Sequence, residues 1–147
     1  MTKDMPAPAP LPSPLPAGER EAPSRAWAWL GLQLVETGDG TAVVEMTATE
    51  DMANHSGFLH GGMISTLADS AMGRSLRTLK PGVTRAMSFD LKLNFINAAK
   101  IGETLRATGR VIHAGRRTAV AECRIENKGG RLVATATATF AITRDKE

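Results

Sequence analysis

The stretch NHSGFLHGGMISTLADSAMG, residues 54–73, gathers most of the groups in this chain that can do chemistry. It carries an amide at Asn54, an imidazole at His60, a glycine pair at Gly61-Gly62 and a carboxylate at Asp69. From residue 61 the apolar side chains recur at helical spacing, so the glycines fall at a helix start. A helix N-terminus offers unpaired backbone N–H groups and the positive end of the helix dipole. A glycine there lets another group approach those N–H groups closely. That is the layout of an oxyanion hole, in which a carbonyl is polarised by fixed backbone donors. Gly61 and Gly62, preceded by His60, fit that layout, and Asp69 is a carboxylate further along the same helix.

Spacing limits how these groups cooperate. Gly61 and Asp69 sit eight residues apart, which a helix converts to ~12 Å. A carbonyl held at the Gly61 N–H is out of reach of the Asp69 on the same helix. If both groups work in one reaction, the acid must come from a neighbouring helix, and with one long helical pattern in the chain that neighbour belongs to a second copy. The residues therefore predict a site shared across a dimer.

The elements that position these residues can be read in outline. Residues 61–79 form the long helix, with Ile64, Leu67, Ala68, Ala71, Ser75 and Leu79 in one apolar stripe. Asp69 stands beside that stripe among small residues, Ser65, Gly62 and Gly73. Lys80-Pro81-Gly82 ends the helix. Before it, an apolar run at 30–35 and an alternating run at 41–49 read as strands, with Gly38-Asp39-Gly40 as the turn between them. After it, strands are expected at 84–97, 103–113, 118–127 and 131–143, with turns at His113–Arg117 and Asn127–Gly130. In the first of these, Met87, Phe89, Leu91, Leu93 and Phe95 alternate with Ser88, Asp90, Lys92 and Asn94, which predicts two consistent faces. One helix with five or six antiparallel strands makes an α+β domain over 25–147. Seven of the eight prolines fall in the first 23 residues, so 1–24 is expected to be an extended, disordered Pro/Ala-rich segment outside the fold.

Composition narrows the functional classes. With four Phe, two Trp and no Tyr, the chain lacks the aromatic platform of a base-stacking nucleic-acid binder, and a net charge of +3 is too small to imply one. No apolar run approaches the ~20 residues of a membrane span. The single cysteine, Cys123, permits no internal disulfide and reads as a small buried hydrophobe. His55 and His60 have no third ligand at metal-site spacing. A cytoplasmic protein needing neither metal nor cofactor is the expectation.

The pattern Asn54…Gly57-Phe-Leu-His60-Gly61-Gly62…Leu67-Ala68-Asp69-Ser-Ala71 resembles the hotdog-fold acyl-CoA thioesterases of the phenylacetate-pathway type. The resemblance extends over residues 28–143, through Pro81-Gly82-Val83-Thr84, the turn at 113–118 and the strand ending Ala138-Thr139-Phe140. It implies an antiparallel sheet wrapped round one long helix, paired into a homodimer or homotetramer, that hydrolyses acyl-CoA. Carried over by position, the Gly61 N–H polarises the thioester carbonyl and Asp69 of the partner subunit acts as nucleophile or general base. Asn54 positions the water or the thioester, His60 supports the loop, and Thr84 helps hold the water. Gly62 and Met63 contact substrate, and Arg116 and Arg117 meet the CoA phosphates. Two other functions fit the same fold: an acyl-CoA hydratase or dehydratase, and a non-catalytic acyl-CoA binder. The first needs an acid and a histidine together at the reacting carbons; the second leaves Asp69 without a purpose.

Overall fold

A computed structural model describes residues 24–144. The Pro/Ala-rich segment expected at 1–24 lies, but for Ser24, outside the described residues. A short helix α1, Arg25–Leu30, leads into β1, Gln33–Gly38, and β2, Thr41–Thr47. A 3-10 turn at Glu50–Met52 precedes the long helix α2, Gly61–Leu76. Four strands follow: β3, Val83–Phe95; β4, Thr104–Ala114; β5, Thr118–Asn127; and β6, Leu132–Arg144. All six strands form one sheet in the order β1-β2-β4-β5-β6-β3, with every neighbouring pair antiparallel.

The helix buries the predicted stripe as far as Ser75, while Leu79 lies beyond the helix end and is partly buried. Ile64, Leu67, Ala68, Ala71 and Ser75 are out of solvent, joined by Met72 and Leu76. They pack against Val44, Leu105, Ala107, Ala121, Ile125 and Ala134 on one face of the sheet. Each such large side chain contributes about 1.5–3 kcal/mol of burial. The opposite sheet face is polar, with Arg110 paired to Glu122, and Arg106 paired to both Glu36 and Glu45. Helix and sheet approach closely at Gly109 of β4, where an added Cβ would lie 2.4 Å from the Ala71 carbonyl oxygen. No side chain fits in that gap.

Several details differ from the sequence reading. The first apolar run does not begin a strand: Ser24 caps α1 by accepting the Trp27 N–H, Leu30 closes that helix, and Gly31 turns the chain at φ 63° before β1. Helix α2 ends at Leu76, because the next residues tighten into i→i−3 bonds from Arg77, Thr78 and Leu79. The alternation of β3 is also broken. Ser88 pairs with Phe140 and Asp90 with Thr139, so Phe89 is an extra, unpaired residue. This β-bulge puts Ser88 on the helix side, with Leu91, Leu93 and Phe95, and turns Met87 to the other face. A second bulge makes Thr84 the extra residue between Val83 and Arg85.

Candidate active site

Two places on α2 carry the chemistry. At its N-terminus His60 is the capping residue, and its Nδ1 accepts the Gly62 N–H at 2.9 Å. That contact occupies the Nδ1 lone pair and leaves the Nε2 side of the ring free. The Met63 and Ile64 N–H groups go to the His60 carbonyl. Of the first four helical N–H groups, only that of Gly61 has no acceptor among the described residues. The glycine pair thus divides its work: Gly62 completes the cap and Gly61 leaves a donor open. A Cβ on Gly61 would sit 3.2 Å from the Phe95 ring, so a glycine is what lets that ring close over the helix start.

The loop before the helix is rigid. The Asn54 side-chain oxygen accepts the N–H groups of Ser56 at 2.9 Å and Phe58 at 3.1 Å, and Gly57 takes φ 80° within that turn. The His60 N–H donates to the Met52 carbonyl and Leu59 to Ala99, which fixes the helix entry against the core. Asn54 therefore keeps only its Nδ2 for a ligand. Met63 packs half-buried against the core.

Asp69 stands two turns further along, in a groove lined by Trp27, Ser70, Gly73, Arg74, Ser88 and Phe140. Its Oδ1 is buried and has no hydrogen-bond partner among the described residues. A carboxylate oxygen removed from water without a partner is costly, and such groups call for an explanation. Ser88 reaches this groove because of the bulge at Phe89; read as an unbroken alternation, it would face away. Sequence reasoning missed it, and also missed Phe95 as a neighbour of Gly61.

The remaining candidates sit elsewhere. The Thr84 hydroxyl donates to the Thr143 carbonyl at 3.1 Å, and Thr84 does not line the Asp69 groove. Arg116 and Arg117 line a separate cleft with Pro81, Ile142 and Arg144, whose guanidinium is held by the Pro81 and Gly115 carbonyls. Burial pushes the Cys123 thiol up to about 12, which makes it a poor nucleophile. Among the described residues no group of three His, Cys, Asp or Glu is placed to hold a metal ion. No described helix is long and apolar enough to cross a membrane.

A six-stranded antiparallel sheet packed against one long helix is the hotdog fold. Residues 56–134 match the family model described as the thioesterase superfamily. The chain is 33% identical to the acyl-coenzyme A thioesterase PaaI of Escherichia coli, across 71% of this chain and 73% of that one. It is 31% identical to human acyl-coenzyme A thioesterase 13, across 70% of this chain and 74% of that one. The solved E. coli PaaI structure superposes with a TM-score of 0.78 at 28% identity, covering 86% of this chain and 90% of that one. A Streptococcus mutans protein solved with bound acetyl CoA superposes with a TM-score of 0.72 at 29% identity, covering 79% and 91%. The chain belongs to the thioesterase superfamily, the class of enzymes that hydrolyse thioesters.

Proposed function

We propose that this protein hydrolyses acyl-CoA thioesters to free acid and CoA at a site built by two copies of the chain. One observation carries the reading. The Gly61 N–H lacks an acceptor, the Asp69 Oδ1 lacks a donor, and both lie on one helix, ~12 Å apart along its axis. One reacting carbonyl cannot serve both from the same chain. Two helices side by side bring Gly61 of one copy to Asp69 of the other.

The edge strand β3 supports a second copy as the neighbour. It runs 13 residues and pairs on one side with β6 alone. Along it Met87 is 58% exposed, Phe89 65% and Phe95 56%. A long open edge with apolar side chains is a template for pairing. Joining two such edges covers these residues and carries the sheet on into the partner. A homodimer is the minimal assembly, and a homotetramer pairs two of them.

In the proposed reaction the thioester oxygen takes the Gly61 N–H of one protomer, backed by the helix dipole. Asp69 of the other protomer either removes a proton from water, whose oxygen attacks the carbonyl carbon, or attacks that carbon directly. The tetrahedral intermediate collapses, the carbon–sulfur bond breaks, and the CoA thiolate leaves and takes up a proton. On the direct route the resulting anhydride is opened by water. The Ser88 hydroxyl lines the Asp69 groove, where it can orient that water. The Asn54 Nδ2 is available to the thioester, and Arg116 and Arg117 offer charge to the CoA phosphates. The His60 Nδ1 is spent on the cap, which weakens the hydratase alternative. A cytoplasmic location belongs to the same reading, since acyl-CoA substrates are found there.

Free-thiol release from short, long and aryl acyl-CoA thioesters tests the proposal. The natural chain should release thiol, and Asp69→Ala should lose it by ~100-fold or more with the assembly intact by size-exclusion chromatography. Binding of acyl-CoA without release of thiol from any of them would make the protein a binder instead.

A further inference from the structure

We propose that the preferred acyl group ends in a second carboxylate, received by Arg74 and Arg77 at the far end of the groove that begins at Asp69. The inference rests on the reading of Asp69 as the acid that meets the thioester carbon. From that point the groove runs along α2 toward its C-terminus. One turn on, Gly73 has no side chain to block it, and Phe140 forms its floor. Arg74 and Arg77 then line it, five and eight residues beyond Asp69, ~7.5 and ~12 Å along the axis.

Among the described residues these two cations stand apart from the chain's ion pairs. Arg106, Arg110 and Arg124 are each paired to glutamates, all on the outer sheet face. Neither Arg74 nor Arg77 has an acidic partner among the described residues, and the unpaired Asp69 Oδ1 shows that the groove's own acid is not spent on them. Arg74 is instead held over the Trp27 ring, 5.6 Å from its centroid, a contact that fixes the guanidinium without neutralising it. Burial, and then the charge of Arg77, pull the Arg74 pKa below its ordinary value, the mark of uncompensated positive charge. A guanidinium so placed takes a carboxylate through two parallel hydrogen bonds. An alkyl end there would leave a half-buried cation without a partner.

The test uses length-matched pairs: glutaryl-CoA against pentanoyl-CoA, and adipyl-CoA against hexanoyl-CoA. Thiol release by the full chain should favour the carboxylate member by ~10-fold or more in kcat/KM, the scale of one charge-assisted pair. In Arg74→Met that ratio should fall toward one, and Arg74→Lys should keep part of it. A natural chain that favours the neutral members, or a ratio that survives Arg74→Met, overturns the proposal. Calorimetric binding of the same four thioesters to Asp69→Ala separates the two readings. A carboxylate preference in binding, with no turnover by the natural chain, upholds the guanidinium site and sinks the role of Asp69. Turnover with no preference in either assay does the reverse.

Discussion

Strands β5 and β3 both border β6, and both alternate in sequence, yet they end in different states. β5 lies inside the sheet with β4 on its other side, and it buries Ala119, Ala121, Cys123 and Ile125 under the helix. Between them Glu122 and Arg124 point outward to ion-pair partners. β3 has β6 on one side and an open edge on the other. It buries only Val83, is interrupted by two bulges, and leaves Met87, Phe89, Leu91 and Phe95 exposed. A strand whose neighbours lie within the chain has its faces set by packing. On the proposed reading, β3 keeps its apolar residues for a second copy, and its bulge aims Ser88 at the Asp69 groove.

Placing a charge on the open edge is the strongest way to break this contrast. Leu91→Asp should leave the protomer folded, since Leu91 is already 36% exposed, but separate the copies. Thiol release should then fall about as far as with Asp69→Ala, ~100-fold, because each protomer keeps only half of a site. Sedimentation velocity read alongside activity checks this. A charge inside β5, at Ala121, should unfold the protein instead.

Next in size is the helix–sheet contact that covers the interior strands. Gly109→Ala inserts a methyl against the Ala71 carbonyl and should cost about 1–3 kcal/mol of stability. Chemical denaturation measures it. The effect should fall on folding, with thiol release per folded molecule little changed.

The bulge gives a smaller, sharper test. Ser88→Ala should slow thiol release by ~10-fold, as expected for a lost hydrogen bond to a charged group or to its water. Thr84→Ala, four residues away in the other bulge, should change it less than twofold, as its hydroxyl is bonded to the Thr143 carbonyl. Equal effects from both would mean that the bulge at Phe89 does not select the functional hydroxyl. The smallest expected effect is at Cys123. Its thiol, raised to about 12 by burial, should resist alkylation in the folded protein at neutral pH and react only on unfolding.

Much of this was legible in the sequence where local chemistry decides structure. The stripe on α2, the turns at Gly38–Gly40 and Asn127–Gly130, and the glycine start after His60 each follow from residue type and spacing. The division of labour between Gly61 and Gly62 was not legible, since it depends on where the His60 ring turns. Nor were the bulges. Nothing in Met87-Ser88-Phe89-Asp90 departs from period two; the slip is set by the pairing of β3 with β6, far away in the chain. For that reason Thr84, conspicuous in the sequence, stands aside, while Ser88 stands in the groove. Gly109 gave no sign of its role either, because the helix that excludes a side chain there is distant in sequence.

The central claim is that each site takes its open N–H from one copy and its acid from the other. Mixing two inactive variants tests it directly. Asp69→Ala and Gly61→Val are purified separately, each without thiol release, then unfolded together and refolded as mixed dimers. A shared site predicts recovery: half of the sites in each heterodimer combine an intact Gly61 with an intact Asp69, so a population at random mixing regains about a quarter of natural activity. If both groups served one carbonyl within a single chain, every site in the heterodimer would carry one lesion, and the mixture would stay as inactive as its parents.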